Sequence, residues 1–260
     1  MKENQITYKN TTVSYRDSGH GNTIVLLHGY LENNSMWDFF IPKLTQENRV
    51  VSVDLLGHGK TGCLGYIHTM EEQADLVLTV INHLKIQKVI LIGHSMGGYI
   101  ALAFAEKYSN YIFKLVLLNS TAYDDNEERK RNRDRAIKMV KRDYESFVRL
   151  SISNLFSNEN QEMLQADIEN VKLEALKTPL QGIIAAQEGM KIRKNRLEVL
   201  HKAKYAILLA LSKKDPVLEY EIHQKQIENT SVQLASLEHG HMSHIESKKS
   251  LLEVLLAFIN

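Results

Sequence analysis

The sequence predicts an α/β fold: a doubly wound, mostly parallel sheet of eight strands carrying a helical cap. Three observations predict it. Continuous apolar runs of strand length recur along the chain, the purest being Thr23-Ile24-Val25-Leu26-Leu27 and Val89-Ile90-Leu91-Ile92, as parallel strands buried on both faces require. Segments with helical apolar spacing alternate with those runs. Residues 121–189 then interrupt the alternation with helical patterning and dense charge, and offer no strand candidate.

Taken in order, residues 6–8 and 12–16 read as two strands of a hairpin turning at Asn10, with residues 19–22 as the next break. The runs at 23–27 and 50–53 end at His28-Gly29 and at Asp54, and residues 36–44 between them predict a short helix. Over 70–84, Ala74, Val77, Leu78 and Ile81 share one helical face. The strand at 89–92 leads into a helix over 96–108, and a strand at 115–118 follows. After the interruption come strands at 206–211 and 232–237 and a closing helix over 247–258. Within the interruption, Ile137, Val140, Tyr144, Phe147 and Val148 fall at helical spacing and predict an amphipathic face, either the cap's own core or a substrate lining. The charged run from Asp124 through Arg135 reads as a solvated face. The predicted division is a core of residues 1–120 and 190–260 and a cap of residues 121–189.

Bulk properties narrow the partners. With 260 residues the chain can bury one large core plus a small accessory unit. Its 32 basic and 31 acidic residues leave a formal charge of +1, so no global field points to nucleic acid or an anionic membrane. A single cysteine, Cys63, excludes an internal disulfide, and Met-Lys-Glu-Asn-Gln is too polar for a signal peptide. No apolar run approaches the roughly 20 residues of a membrane helix. The expectation is a soluble cytoplasmic protein that acts on a small molecule. Oligomeric state is not readable.

The chemistry centres on Gly93-His94-Ser95-Met96-Gly97-Gly98, which joins a predicted strand to a predicted helix. Strand, sharp turn and helix around Gly-x-Ser-x-Gly make a nucleophile elbow, in which the residues two before and two after the serine must be small. A serine hydroxyl is a weak nucleophile, so it needs a histidine to take its proton and a carboxylate to orient that histidine. Asp215 follows the strand at 206–211 after Ser212-Lys213-Lys214, and Pro216 could open a helix that Asp215 caps. Leu237-Glu238-His239-Gly240-His241-Met242-Ser243-His244 follows the last strand and offers three histidines. His241, lifted by a tight turn at Gly240, is the first choice of base and His244 the alternative. No second ligand group at metal spacing accompanies them, so no metal is expected. Glu246 reads as a support for this loop. The oxyanion needs two amide donors, one after the nucleophile and one after an earlier strand; Met96 and Tyr30 stand at those places, and His28 reads as structural.

His28-Gly29, Asp54-Leu55-Leu56-Gly57-His58-Gly59-Lys60-Thr61, the elbow, Asp215, and Gly240-His241 ahead of Glu246 occur in the order of the α/β-hydrolase superfamily, which the chain resembles over nearly its whole length outside the cap. The resemblance implies Ser95, Asp215 and His241 as a triad, Tyr30 and Met96 as oxyanion donors, a structural loop at 54–59, and no cofactor. Serine at the elbow sets the chain apart from the epoxide hydrolase and haloalkane dehalogenase branches, which place aspartate there. Two departures fall beside the acid: Tyr205 stands where the family often opens the strand with proline, and Ser212 where it often has glycine. The cap is similar to those of small-ester hydrolases and enol-lactonases. The expected function is cleavage of a small carboxylic ester or lactone. The alternatives are a carbon–carbon bond hydrolase or lyase using the same triad, for which Arg129, Arg133 and Arg149 supply candidate carboxylate partners, and a ligand receptor that turns over slowly.

Overall fold

The computed structural model describes residues 2–260. One sheet of eight strands organises it, in the order β1-β2-β4-β3-β5-β6-β7-β8. β1 (Lys2–Tyr8) and β2 (Thr11–Ser18) form the antiparallel hairpin, joined through Lys9 and Asn10, both at positive φ as a two-residue primed turn demands. β2 also runs antiparallel to β4 (Asn48–Val53). Every remaining pairing is parallel: β4 with β3 (Asn22–Leu27), β3 with β5 (Val89–His94), β5 with β6 (Ile112–Leu118), β6 with β7 (Ala206–Ser212), and β7 with β8 (Gln233–Leu237).

The apolar runs are buried on both faces because side chains alternate across a strand. In β3, Val25 and Leu27 join a core with α2 (Met70–His83) and α3 (Met96–Tyr108), while Ile24 and Leu26 join a second core with α1 (Ile41–Leu44) and the closing helix. Val89 and Leu91 of β5 face the first core, Ile90 and Ile92 the second. Thr69 caps α2 by accepting the Glu72 N–H at 3.0 Å.

The helix predicted over 36–44 is two pieces, a 3-10 turn at Asn34–Trp37 and α1. Pro42 is the reason. It has no N–H to continue the first turn, and it sits at the start of α1, where none is needed.

Between β6 and β7 lie α4 (Glu127–Arg142), α5 (Tyr144–Ser153), α6 (Gln165–Ala175), α7 (Leu180–Lys191) and α8 (Leu197–Lys202). Val140, Phe147 and Val148 pack with Ile152, Ile168 and Ile183 in a third core that also takes in Leu31 and Met242. The stripe read from the sequence thus packs these helices together and onto loops at the top of the sheet. The charged run is not wholly solvated: Asp125 is buried and pairs with both Arg133 and Arg193. After β7 come α9 (Tyr220–His223) and, beyond β8, α10 (Ser243–Glu246) and α11 (Lys248–Ile259). Among the described residues no helix is long and apolar enough to cross a membrane.

Candidate active site

Ser95 stands between β5 and α3 with φ of +50° and ψ of −114°, a strained conformation for a residue with a side chain. Its neighbours hold it there: its N–H donates to the Leu118 carbonyl at 2.9 Å, and its carbonyl accepts from the Gly98 N–H at 2.9 Å and Ser120 Oγ at 2.8 Å. Small residues flank it for a measurable reason. A Cβ on Gly93 would lie 2.3 Å from the Gly97 carbonyl oxygen, and one on Gly97 would lie 2.4 Å from that of Leu27.

His241 Nε2 lies 2.8 Å from Ser95 Oγ, and its Nδ1 lies 2.7 Å from Asp215 Oδ2. Because Nδ1 faces a carboxylate it carries the hydrogen, which leaves Nε2 to accept from the serine hydroxyl. His244, the alternative base, points elsewhere and stacks edge-on against His94 with ring centroids 5.3 Å apart. Gly240 is not at positive φ. A Cβ there would lie 2.5 Å from the Ser157 nitrogen and 2.4 Å from Glu246 Oε1, so close packing, not turn geometry, requires glycine. Glu246, read as a support for this loop, binds a different segment: its Oε2 accepts from Ser157 N–H, Ser157 Oγ and Asn160 Nδ2.

Asp215 divides its two carboxylate oxygens between a local turn and the His241 ring. Its Oδ1 accepts the Val217 and Leu218 N–H groups at 2.8 and 3.0 Å, while Oδ2 takes His241 and Asn119 Nδ2. Those amides close a turn without propagating a helix, so Pro216 opens none and α9 begins only at Tyr220. Burial pushes the Asp215 carboxyl up, but His241 and the Asn119 and Leu218 donors outweigh it and hold it below its ordinary value.

Tyr30 and Met96, the expected oxyanion donors, both keep a free main-chain N–H: among the described residues neither donates to a protein acceptor. Met96 N–H belongs to the first turn of α3, where helix geometry supplies no partner and the macrodipole favours negative charge. His28 anchors the loop as read: its Nδ1 donates to the Gly29 carbonyl at 2.7 Å and its Nε2 accepts the Leu55 N–H at 2.9 Å. That pattern makes it neutral, and burial pulls its pKa down. Cys63 is half-buried, and burial pushes its thiol up, away from reactivity.

Sequence reasoning missed Asn119, Ser243 and a buried group behind the site. Asn119 follows β6, at positive φ, and its Oδ1 accepts from Ser243 Oγ at 2.7 Å. Glu32, His94 and His244 bring donor atoms within 4.8 Å of one another, the one grouping among the described residues spaced to grip a metal ion, although Glu32 and His94 already pair with each other at 2.8 Å. The only signal was His94 itself, a polar residue in the variable place of the elbow, where burial demands a partner.

Comparisons with known proteins bear on the fold that carries this site. The sequence model of the alpha/beta hydrolase fold matches residues 22–197. A thermophilic esterase from Thermogutta terrifontis, solved with malate bound, superposes with a TM-score of 0.91 at 28% identity, covering 100% of this chain and 98% of that one. An esterase from Exiguobacterium antarcticum gives 0.85 at 25% identity over 96% of both chains. The enol-lactonase from Burkholderia xenovorans LB400 shares the fold, with a TM-score of 0.91 at 20% identity over 98% of this chain and 99% of its own. Curated sequences match over shorter stretches: the AB hydrolase superfamily protein YisY of Bacillus subtilis (strain 168) is 33% identical over 118 residues, 45% of this chain and 44% of that protein. The chain thus spans less than half the length of that relative. Fold, elbow and family model agree: the chain belongs to the alpha/beta hydrolase fold family.

Proposed function

We propose that the protein hydrolyses small carboxylic esters or lactones through an acyl-enzyme on Ser95. The observation that carries this reading is the 2.8 Å approach of His241 Nε2 to Ser95 Oγ, with Asp215 behind the ring. Ser95 Oγ attacks the carbonyl carbon as His241 takes its proton, and the oxyanion lies against the Tyr30 and Met96 N–H groups. Asp215 stabilises the imidazolium. His241 returns the proton to the leaving alkoxide, then takes one from a water whose oxygen attacks the acyl carbon; collapse restores the Ser95 hydroxyl and frees the acid. The esterase from Thermogutta terrifontis supports the ester class.

The test is the time course of 4-nitrophenyl ester hydrolysis, acetate through octanoate, by the wild type and Ser95→Ala. Sustained turnover is expected, falling by about 10⁴-fold or more in the variant. Turnover that survives Ser95→Ala ends the mechanism. A single burst followed by stalling favours the receptor reading.

A carbon–carbon bond hydrolase acting on a keto acid has one observation in its favour. Arg149 is engaged by Glu145 and Glu169 at the surface and Arg129 by the Val217 carbonyl, but Arg133 and Arg193 share the single carboxylate of Asp125. That leaves one positive charge uncompensated, with Arg193 stacked 4.2 Å over Tyr99, one turn beyond the nucleophile. Esters bearing a free carboxylate, compared with neutral ones of equal length, separate the two readings.

A further inference from the structure

Glu32 lies in the turn that follows β3, with its side chain 3% exposed. Its Oε2 accepts the Gly29 N–H at 2.6 Å and faces His94 Nδ1 at 2.8 Å. On the far side of the ring, His94 Nε2 lies 3.0 Å from the carbonyl oxygen of His241. A carbonyl only accepts, so Nε2 carries a hydrogen, and Nδ1 donates to a carboxylate. The His94 ring therefore donates from both nitrogens, as an imidazolium held by Glu32.

This pair joins three segments that the chain keeps far apart. Glu32 is 62 positions from His94, and His94 is 147 from His241. Glu32 fixes the turn that presents the Tyr30 N–H, His94 is the residue before Ser95, and His241 carries the base. The contact is tight: a Cβ on Gly29 would lie 2.5 Å from Glu32 Oε2 and 2.9 Å from His94 Nδ1. Burial pushes Glu32 up and His94 down, yet their mutual attraction prevails, holding Glu32 at about 2 and His94 above its ordinary value. The other groups facing the pair are His28 beside Gly29, His241 from the loop before α10, His244 from α10 itself, and Asp215 from the loop after β7. A buried ion pair is a poor source of net stability, since an apolar pair of similar volume often does as well. What it supplies is fixed geometry.

We infer that Glu32 and His94 are positioning residues for the reaction proposed above: their buried ion pair sets the spacing between the Tyr30 amide, Ser95 and His241, and so acts on kcat and not on substrate binding.

The experiment compares wild type, Glu32→Gln, Glu32→Asp and His94→Gln by steady-state hydrolysis of 4-nitrophenyl butyrate, rate of fluorophosphonate labelling of Ser95, and thermal unfolding. Imidazole 1H–15N spectra are recorded for the wild type and Glu32→Gln. Glu32→Gln and His94→Gln are expected to lower kcat and the labelling rate together by about tenfold to a hundredfold, with KM within about twofold. Glu32→Asp should recover part of the loss. The wild-type His94 ring should show two nitrogen-bound protons at neutral pH and the Glu32→Gln ring one. Folded variants with kcat near that of the wild type, a loss confined to KM, a single ring proton on wild-type His94, or a bound transition metal whose chelation changes kcat would each overturn the inference. Should the glutamine variants fail to fold, the wild-type spectrum and Glu32→Asp decide it. The ring-proton measurement needs no turnover, so it tests the pair even where Ser95→Ala retains activity and the reaction reading falls.

Discussion

Four hydrogen-bond donors converge on the two oxygens of Asp215, and this satisfaction lets a buried carboxylate stay ionised beside the His241 ring. Asn119 is the donor whose removal is most informative, because it links Asp215 to Ser243. Asn119→Ala should cost about 1–3 kcal/mol in unfolding free energy by leaving buried partners short of a hydrogen bond. It should also lower kcat, as read by denaturant titration and ester hydrolysis on one preparation; unchanged stability would contradict the network. Ser95, Asp215 and His241 could be nominated from the sequence because each follows a strand in the order the chemistry needs. Asn119 and Glu32 could not. Their roles depend on contacts across 96 and 62 positions, and nothing local distinguishes either residue from an ordinary loop side chain.

Among the elements, α3 and the two strands beside it show where sequence patterning suffices. The helix over 96–108 has the expected bounds, because its start is fixed by the elbow and its apolar residues are packed on nearly every side. Patterning failed where a single local group decided. Pro42 splits the helix expected before β4, and the carboxylate of Asp215 closes a turn where a helix was expected to begin. The elbow itself yields a prediction at this scale. Gly97→Ala places a methyl group 2.4 Å from the Leu27 carbonyl oxygen and 2.6 Å from that of His28, both backbone atoms with little freedom to retreat. The expected outcome is a loss of about 1–3 kcal/mol together with reduced turnover. An alanine variant that melts with the wild type and keeps its rate would show that the strand and helix have slack.

For the molecule as a whole, buried histidines set the response to acid. Burial pulls His58 down to about 3 and His244 down to about 4. An unfolded chain takes up these protons below about pH 6.5 while the native state refuses them, so stability is complete above that value and is lost as pH falls toward the native values. Each fully buried ring contributes about 1.4 kcal/mol per pH unit within that window. His94 acts in the opposite sense: its raised value gives stability that is full in acid and lost as pH climbs through it. Melting temperature measured from about pH 8 to about pH 5 should therefore decline on the acid side; a flat curve would contradict neutral burial. One more consequence comes from the 146 positions that separate Ser95 from His241. During synthesis the serine leaves the ribosome long before its proton acceptor, so the growing polypeptide carries an inert alcohol. A chain broken before β8 and the loop that follows it lacks the imidazole that faces the Ser95 hydroxyl, whatever else of the sheet it has built.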